Sequence, residues 1–152
     1  ARSASASASA HYLVGSQTGR IAKFVSPKHV AWHAGNWYFN MHSIGIEHEA
    51  VAIEGKMWFT DAMYEASAKL VRHLAQSYGV PLDREHIIGH DEIPGVTAAK
   101  QSSMHWDPGP YFDWDRYMQL LRAPLPSDAD PGQSGTPIVL RPGYAANLQK
   151  GS

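Results

Sequence analysis

The stretch from Thr60 to Pro81 constrains this chain's fold more than any other. Met63, Ser67, Leu70, Val71, Leu74 and Tyr78 recur at helical spacing, so one face of the segment is small or apolar along its length. Thr60 supplies an N-cap, Asp61 an acid in the first turn, and Gly79 followed by Pro81 a stop. A helix with one apolar face must bury it, and the runs around this one are β-prone. His11 to Val14 and Ile21 to Val25 flank Gly15, Ser16 and Gly19 as a hairpin would. In Ser43-Ile44-Gly45-Ile46-Glu47 the two isoleucines share one strand face, while Glu47 and Glu49 point to the other. Ile87 and Ile88 form a brief apolar run, read as a short strand, that ends at Gly89-His90. Asp113 opens a second helix, Trp114 to Leu121, closed before Pro124. Strands and helices interleave, which predicts an α/β class with a mixed central β-sheet flanked by helices.

Residues 1–8 read as a flexible lead-in and 9–122 as the compact domain. Residues 123–152 read as a Pro/Gly/Ser-rich tail or linker, in which Ile138-Val139-Leu140 is the single apolar cluster. With 152 residues, one hydrophobic core suffices. No apolar run approaches the roughly 20 residues that span a bilayer, so no membrane span is expected. The net charge of -1 lacks the clustered basic face that nucleic acid requires. There is no cysteine, so metal ligands must come from His, Asp and Glu.

His90 follows an apolar run beside a glycine, and Asp107 precedes Pro108-Gly109-Pro110, which imposes a rigid, non-helical backbone. Both suit a ligand that must be held still, and a catalytic zinc commonly takes three mixed His/carboxylate ligands plus water. Singly, each has an ordinary reading: a hydrogen-bonded histidine, an Asp at a turn. His105 lies two residues before Asp107 and projects to the same side of an extended segment, either as a proton donor to an oxyanion or as an exposed loop residue. Glu47 is a candidate general base if its strand face lines the site, and otherwise a salt-bridged surface residue. Glu49 is a weaker candidate on the same face. Trp32-His33-Ala34-Gly35-Asn36 combines an aromatic, an imidazole and an amide suited to stacking on a sugar and hydrogen-bonding a peptide, or simply packs over a turn. His86 and His90 are four apart, but Ile87-Ile88-Gly89 is poor helix sequence for a chelating pair.

Five stretches resemble one known family in order: Ser9-Ala10-His11-Tyr12-Leu13-Val14, Ala31-Trp32-His33-Ala34-Gly35, Ser43-Ile44-Gly45-Ile46-Glu47, Ile88-Gly89-His90, and Asp107-Pro108-Gly109-Pro110 with Phe112-Asp113-Trp114. The resemblance is to the type 2 N-acetylmuramoyl-L-alanine amidases, related to peptidoglycan recognition proteins and phage amidase lysozymes. It implies a Zn2+ site on His90 and Asp107, Glu47 as base, and hydrolysis of the amide between the lactyl group of N-acetylmuramic acid and the stem peptide's L-alanine. His105 stands where many relatives place a lysine near the developing oxyanion. Lysine stays cationic near neutrality whereas histidine titrates there, so activity is expected to fall as pH rises and to persist in a His105→Lys variant. Trp32, His33, Asn36 and Tyr12 are the expected contacts to peptidoglycan. A non-catalytic muropeptide-binding module is the alternative, but a pure binder has no need of Glu47, His90 and Asp107 together. The family's first zinc-ligating histidine ends a strand ahead of the Ser-Ala-His-Tyr motif, and only ten residues precede His11. That strand and the third ligand are therefore expected upstream of this chain, as a cut or separate part of the same protein, with zinc held weakly without them. The resemblance also implies a secreted, cell-wall location.

Overall fold

The computed structural model describes residues 8–126. The lead-in up to residue 7 and the tail from residue 127, with Ile138-Val139-Leu140, lie outside the described residues. Strands β1 (Tyr12–Val14) and β2 (Ile21–Lys23) form the expected antiparallel hairpin, with Tyr12 opposite Lys23 and Val14 opposite Ile21. Helix α1 (Trp37–His42) leads into β3 (Ile46–His48), which runs parallel to β1 and sets Leu13 opposite Glu47. The sheet order β2-β1-β3 is thus mixed. A 3₁₀ turn at Ala52–Glu54 and helix α2 (Gly55–Trp58) precede the long helix α3 (Asp61–Tyr78). A second 3₁₀ turn (His90–Glu92), helix α4 (Ala98–Gln101) and helix α5 (Trp114–Leu120) follow.

Helix α3 has the bounds its periodicity predicts. Thr60 Oγ1 accepts the Met63 N–H, and Gly79 ends the helix at φ 69°, a left-handed conformation that a residue with a Cβ adopts only under strain. Its buried face of Met63, Tyr64, Ser67, Ala68, Leu70, Val71, Leu74 and Ala75 packs against β1 and α5. Val14, Phe112, Tyr117, Met118 and Leu121 complete the core. Phe112 is its aromatic hub, 5.0 Å from Tyr64, 5.2 Å from Tyr117 and 4.7 Å from Trp114 between ring centroids. One polar chain crosses this core: His48 Nε2, Ser67 Oγ and the Tyr117 hydroxyl stand 2.7 Å apart at each step. Burial depresses the His48 pKa to about 4 and lifts that of Tyr117 to about 12.

Helix α5 starts where expected, with Asp113 accepting the Arg116 N–H, and ends near Leu121 at Arg122, φ 63°. Ile87 and Ile88 form no strand, because no described strand lies beside them to pair with. Three short helices were not legible as periodic runs. Of these, α1 and α4 are fixed by single caps, Asn36 and Thr97. Among the described residues no helix is long and apolar enough to cross a membrane.

Candidate metal centre

Two loops meet at the candidate site, the first fixed by hydrogen bonds to its own backbone and the second by its backbone conformation. On the first, Gly89 N–H donates to Glu92 Oε2 at 2.7 Å, and Arg84 donates to the same carboxylate at 2.6 Å. Arg84 also donates to the Ile87 carbonyl and lies 3.4 Å over the Trp114 ring, so the turn that presents His90 is anchored to α5. On the second loop the Asp107–Pro108 peptide bond is cis, and Gly109 has φ 72°. A Cβ on Gly109 would stand 2.6 Å from the Trp106 ring, so only glycine fits. The Asp91 N–H donates to the Asp107 carbonyl at 2.8 Å and joins the two loops.

This frame places His90 Nδ1 3.6 Å and His105 Nδ1 3.5 Å from Asp107 Oδ1, with the imidazoles stacked at 4.8 Å and 17°. The three ligand atoms all lie within 4.8 Å of one another. The His90–Asp107 separation of 3.6 Å is long for a charge-assisted hydrogen bond, but it matches the roughly 3.3–3.6 Å between donors that a tetrahedral zinc imposes at bond lengths of about 2.0–2.2 Å. His90 Nε2 is buried with no acceptor in hydrogen-bonding geometry, leaving Nδ1 as the nitrogen turned to the carboxylate. The Asp107 carboxylate raises the His90 pKa against the burial that lowers it. His90 in turn lowers that of Asp107. The donor set fits a divalent metal of borderline softness such as zinc.

Glu47 reaches the same cleft. Strand alternation turns it away from Ile46 and His48, and it lines a cavity of about 1200 Å³ with His90, His105 and Asp107. Its side chain opens to solvent on one side. Desolvation by the cleft walls nevertheless raises its pKa, with the Asp107 charge adding to the rise and His90 and His105 opposing it. A carboxyl moved upward in this way is the better proton acceptor near neutrality.

A profile of the N-acetylmuramoyl-L-alanine amidase family matches residues 1–110. The chain belongs to that family. N-acetylmuramoyl-L-alanine amidase A of Achromobacter lyticus is 34% identical over 127 residues, covering 77% of this chain and 70% of the relative. The 1,6-anhydro-N-acetylmuramyl-L-alanine amidase AmpD of Haemophilus influenzae is 34% identical over 120 residues, 75% of this chain and 59% of its own length. Among solved structures, AmiD of E. coli, in complex with the substrate anhydro-N-acetylmuramic acid-L-Ala-D-gamma-Glu-L-Lys, aligns with TM-score 0.58 and 27% identity. That alignment covers 74% of this chain and 48% of AmiD.

The four expected substrate contacts of this amidase-family chain separate. Trp32 and His33 line the cleft. The His33 ring is held at Nδ1 by the Ala31 carbonyl and at Nε2 by Ser43 Oγ, and burial lowers its pKa to about 4, so it is neutral at pH 7. Asn36 is committed to the fold: its Oδ1 caps α1 at the Tyr38 N–H, and its Nδ2 donates to the Pro94 carbonyl. Tyr12 shares the core face of β1 with Val14 and packs against the apolar cluster, because alternation gives the Glu47 face to Leu13. His11 is buried, with Nδ1 accepting the Gly45 N–H and Nε2 donating to His29, which leaves no nitrogen for a metal. His86 bonds Asp83, away from His90. Glu49 ties β3 to the hairpin turn through the Ser16 N–H.

Asn40 was not singled out by sequence. Its buried Oδ1 accepts from the N–H groups of both His33 and Ala34 and pins the loop beside His90. Arg84 and Glu92 were missed as well, since their role runs through backbone groups that no side-chain motif records.

Proposed function

We propose that this chain hydrolyses the amide between the lactyl group of N-acetylmuramic acid and the L-alanine of the stem peptide, using zinc held by His90 and Asp107. The observation that carries this reading is Glu47, a carboxyl with raised pKa, facing the same cleft as the His90/His105/Asp107 donor cluster. Zinc, when bound in such a site, polarises the amide carbonyl and acidifies water. Glu47 takes the proton of the attacking water and delivers it to the departing alanine nitrogen. His105, stacked on His90 and exposed towards the cleft, donates to the carbonyl oxygen as negative charge develops there. Trp32, half exposed in the cleft, meets the glycan of the substrate. A wall polymer is the substrate, so we place the enzyme at the cell wall.

A further ligand from an upstream strand is also part of the proposal. Among the described residues β3 has a strand neighbour on one side only, and apolar Ile44, Ile46, Leu74, Ile87 and Ile88 line the cleft. An added strand would find both a hydrogen-bonding edge and a surface to cover.

The test is Glu47→Gln with zinc content measured alongside muropeptide cleavage. A fall in kcat of roughly 100-fold or more at unchanged zinc occupancy is expected of a lost general base. Near-normal turnover with zinc bound would remove Glu47 from that role.

A further inference from the structure

The chemistry at the amide does not account for the wall of the cleft built by Trp32 and α1. The two indoles of Trp32 and Trp37 lie with ring centroids 5.0 Å apart and planes 35° from parallel, yet remain 55% and 49% exposed. Both line the cleft that holds His90 and Asp107. Their placement is specified by the fold. Ser9 fixes Trp32 by donating its N–H to the Trp32 carbonyl and accepting the Trp32 N–H at Oγ, each at 2.9 Å. Trp37 opens a helix whose cap, Asn36, is itself bonded to the Pro94 carbonyl. Between them in sequence, Gly35 lies against the Met104 side chain and within van der Waals reach of the metal loop, since a Cβ there would stand 3.9 Å from His90 Nε2. Met41, one helical turn from Trp37, continues the apolar wall, and His42 adds a polar edge.

Paired indole faces that stay half exposed beside a reaction centre match one chemistry in a wall polymer. A pyranose carries an apolar C–H face that packs on an aromatic ring and a rim of hydroxyl and acetamido groups that stays wet. The stem peptide offers no comparable flat surface. We propose that the Trp32–Trp37 pair is a glycan subsite, taking a sugar next to the muramoyl residue whose lactyl amide is cut, so that glycan-linked peptidoglycan is preferred over a single-sugar muropeptide. The orientation of the strand rests on the amidase reading above; binding at the pair does not.

Titration calorimetry on the Glu47→Gln protein, with soluble peptide-free oligosaccharides of alternating N-acetylglucosamine and N-acetylmuramic acid as probe, separates the two. These glycans contain no lactyl amide to alanine, so they report the subsite whether or not the protein is an amidase. Binding is expected, weakened about tenfold or more by adding Trp37→Ala and largely restored by Trp37→Phe, which keeps an aromatic face. In turnover by the parent and by Trp37→Ala, the loss of kcat/KM on glycan-linked substrate should exceed the loss on single-sugar muropeptide by at least about fivefold. Absence of glycan binding, binding indifferent to Trp37→Ala, or equal losses on the two substrates would each overturn the subsite. Glycan binding without any cleavage would retain it and remove the amidase reading instead.

Discussion

Helix α3 buries Met63, Leu70, Val71 and Leu74 against β1 and α5, whereas His90 and Asp107 sit where no described element between Gly79 and Asp113 exceeds four residues. The first region is held by apolar area that one helix face collects. The second is held by single hydrogen bonds: Glu92 to Gly89, Arg84 to Ile87, Asp91 to Asp107. Apolar packing resists any one change by spreading its load over many contacts, but truncating a fully buried side chain leaves a cavity with a large cost. A bond-by-bond frame can lose geometry without losing the fold. The two regions should therefore answer mutation through different measurements, stability for the core and metal affinity for the loops.

The largest effect is expected from Met63→Ala, which empties a site of zero exposure under the sheet. A loss of about 2–5 kcal/mol in denaturant unfolding is the expectation. Zinc affinity of the molecules that remain folded should stay near the parent value. If affinity fell in step with stability, core and loops would form one cooperative unit and the contrast would fail.

The buried chain from His48 through Ser67 to Tyr117 gives the core a second signature, in pH. The folded protein holds His48 neutral down to about pH 4, while the unfolded chain takes up a proton below its ordinary value of 6.5. The unfolded state therefore binds more protons between those two values, and stability present above pH 6.5 is lost as pH falls towards 4, by about 3 kcal/mol at most. His33, likewise lowered to about 4, adds to the same loss. Thermal melts from pH 7 to pH 4 should show the decline, and His48→Gln should flatten part of it. An unchanged slope in that variant would assign the acid sensitivity elsewhere.

On the loop side, Glu92→Gln removes the charge that joins Arg84 to the Gly89 N–H while leaving the core intact. Residues that orient metal ligands from behind typically cost 10–100-fold in metal affinity, and the same range is expected here in competition titrations with a zinc chelator. Melting of the metal-free protein should move little, because the pair is partly exposed. A large drop in melting temperature with unaltered affinity would reverse the assignment of this pair to the site.

This division also explains what the sequence could reveal. Helix α3 was legible to its last residue because the period of its buried face, the Thr60 cap and the Gly79 stop all agree. The β1–β2 hairpin and the start of α5 at Asp113 were legible for the same reason. His90, Asp107 and Glu47 were visible only as residue types in a characteristic order, and their meeting in one cleft depends on two loops that have no period. Tyr12 and Asn36 show where residue type misleads: strand alternation takes one into the core, and a helix cap consumes the amide of the other. Arg84, Glu92 and Asn40 act on backbone groups up to seven residues away, and nothing in their spacing marks them.

The smallest predicted effect lies where the two kinds of support meet. Thr60 caps α3 through the Met63 N–H at 3.2 Å, and its hydroxyl donates to the Ser16 carbonyl in the hairpin turn. Thr60→Ala removes both bonds, and a cap of this kind is worth about 1 kcal/mol. Thr60→Ser keeps the hydroxyl and should recover most of that loss, which separates the hydrogen bonds from the methyl group's packing. Neither variant touches the loops of His90 and Asp107, so zinc affinity should match the parent in both. A Thr60→Ala protein that unfolded more easily and also bound zinc more weakly would mean that the start of α3 positions the metal loops, and that the core and the site share one frame.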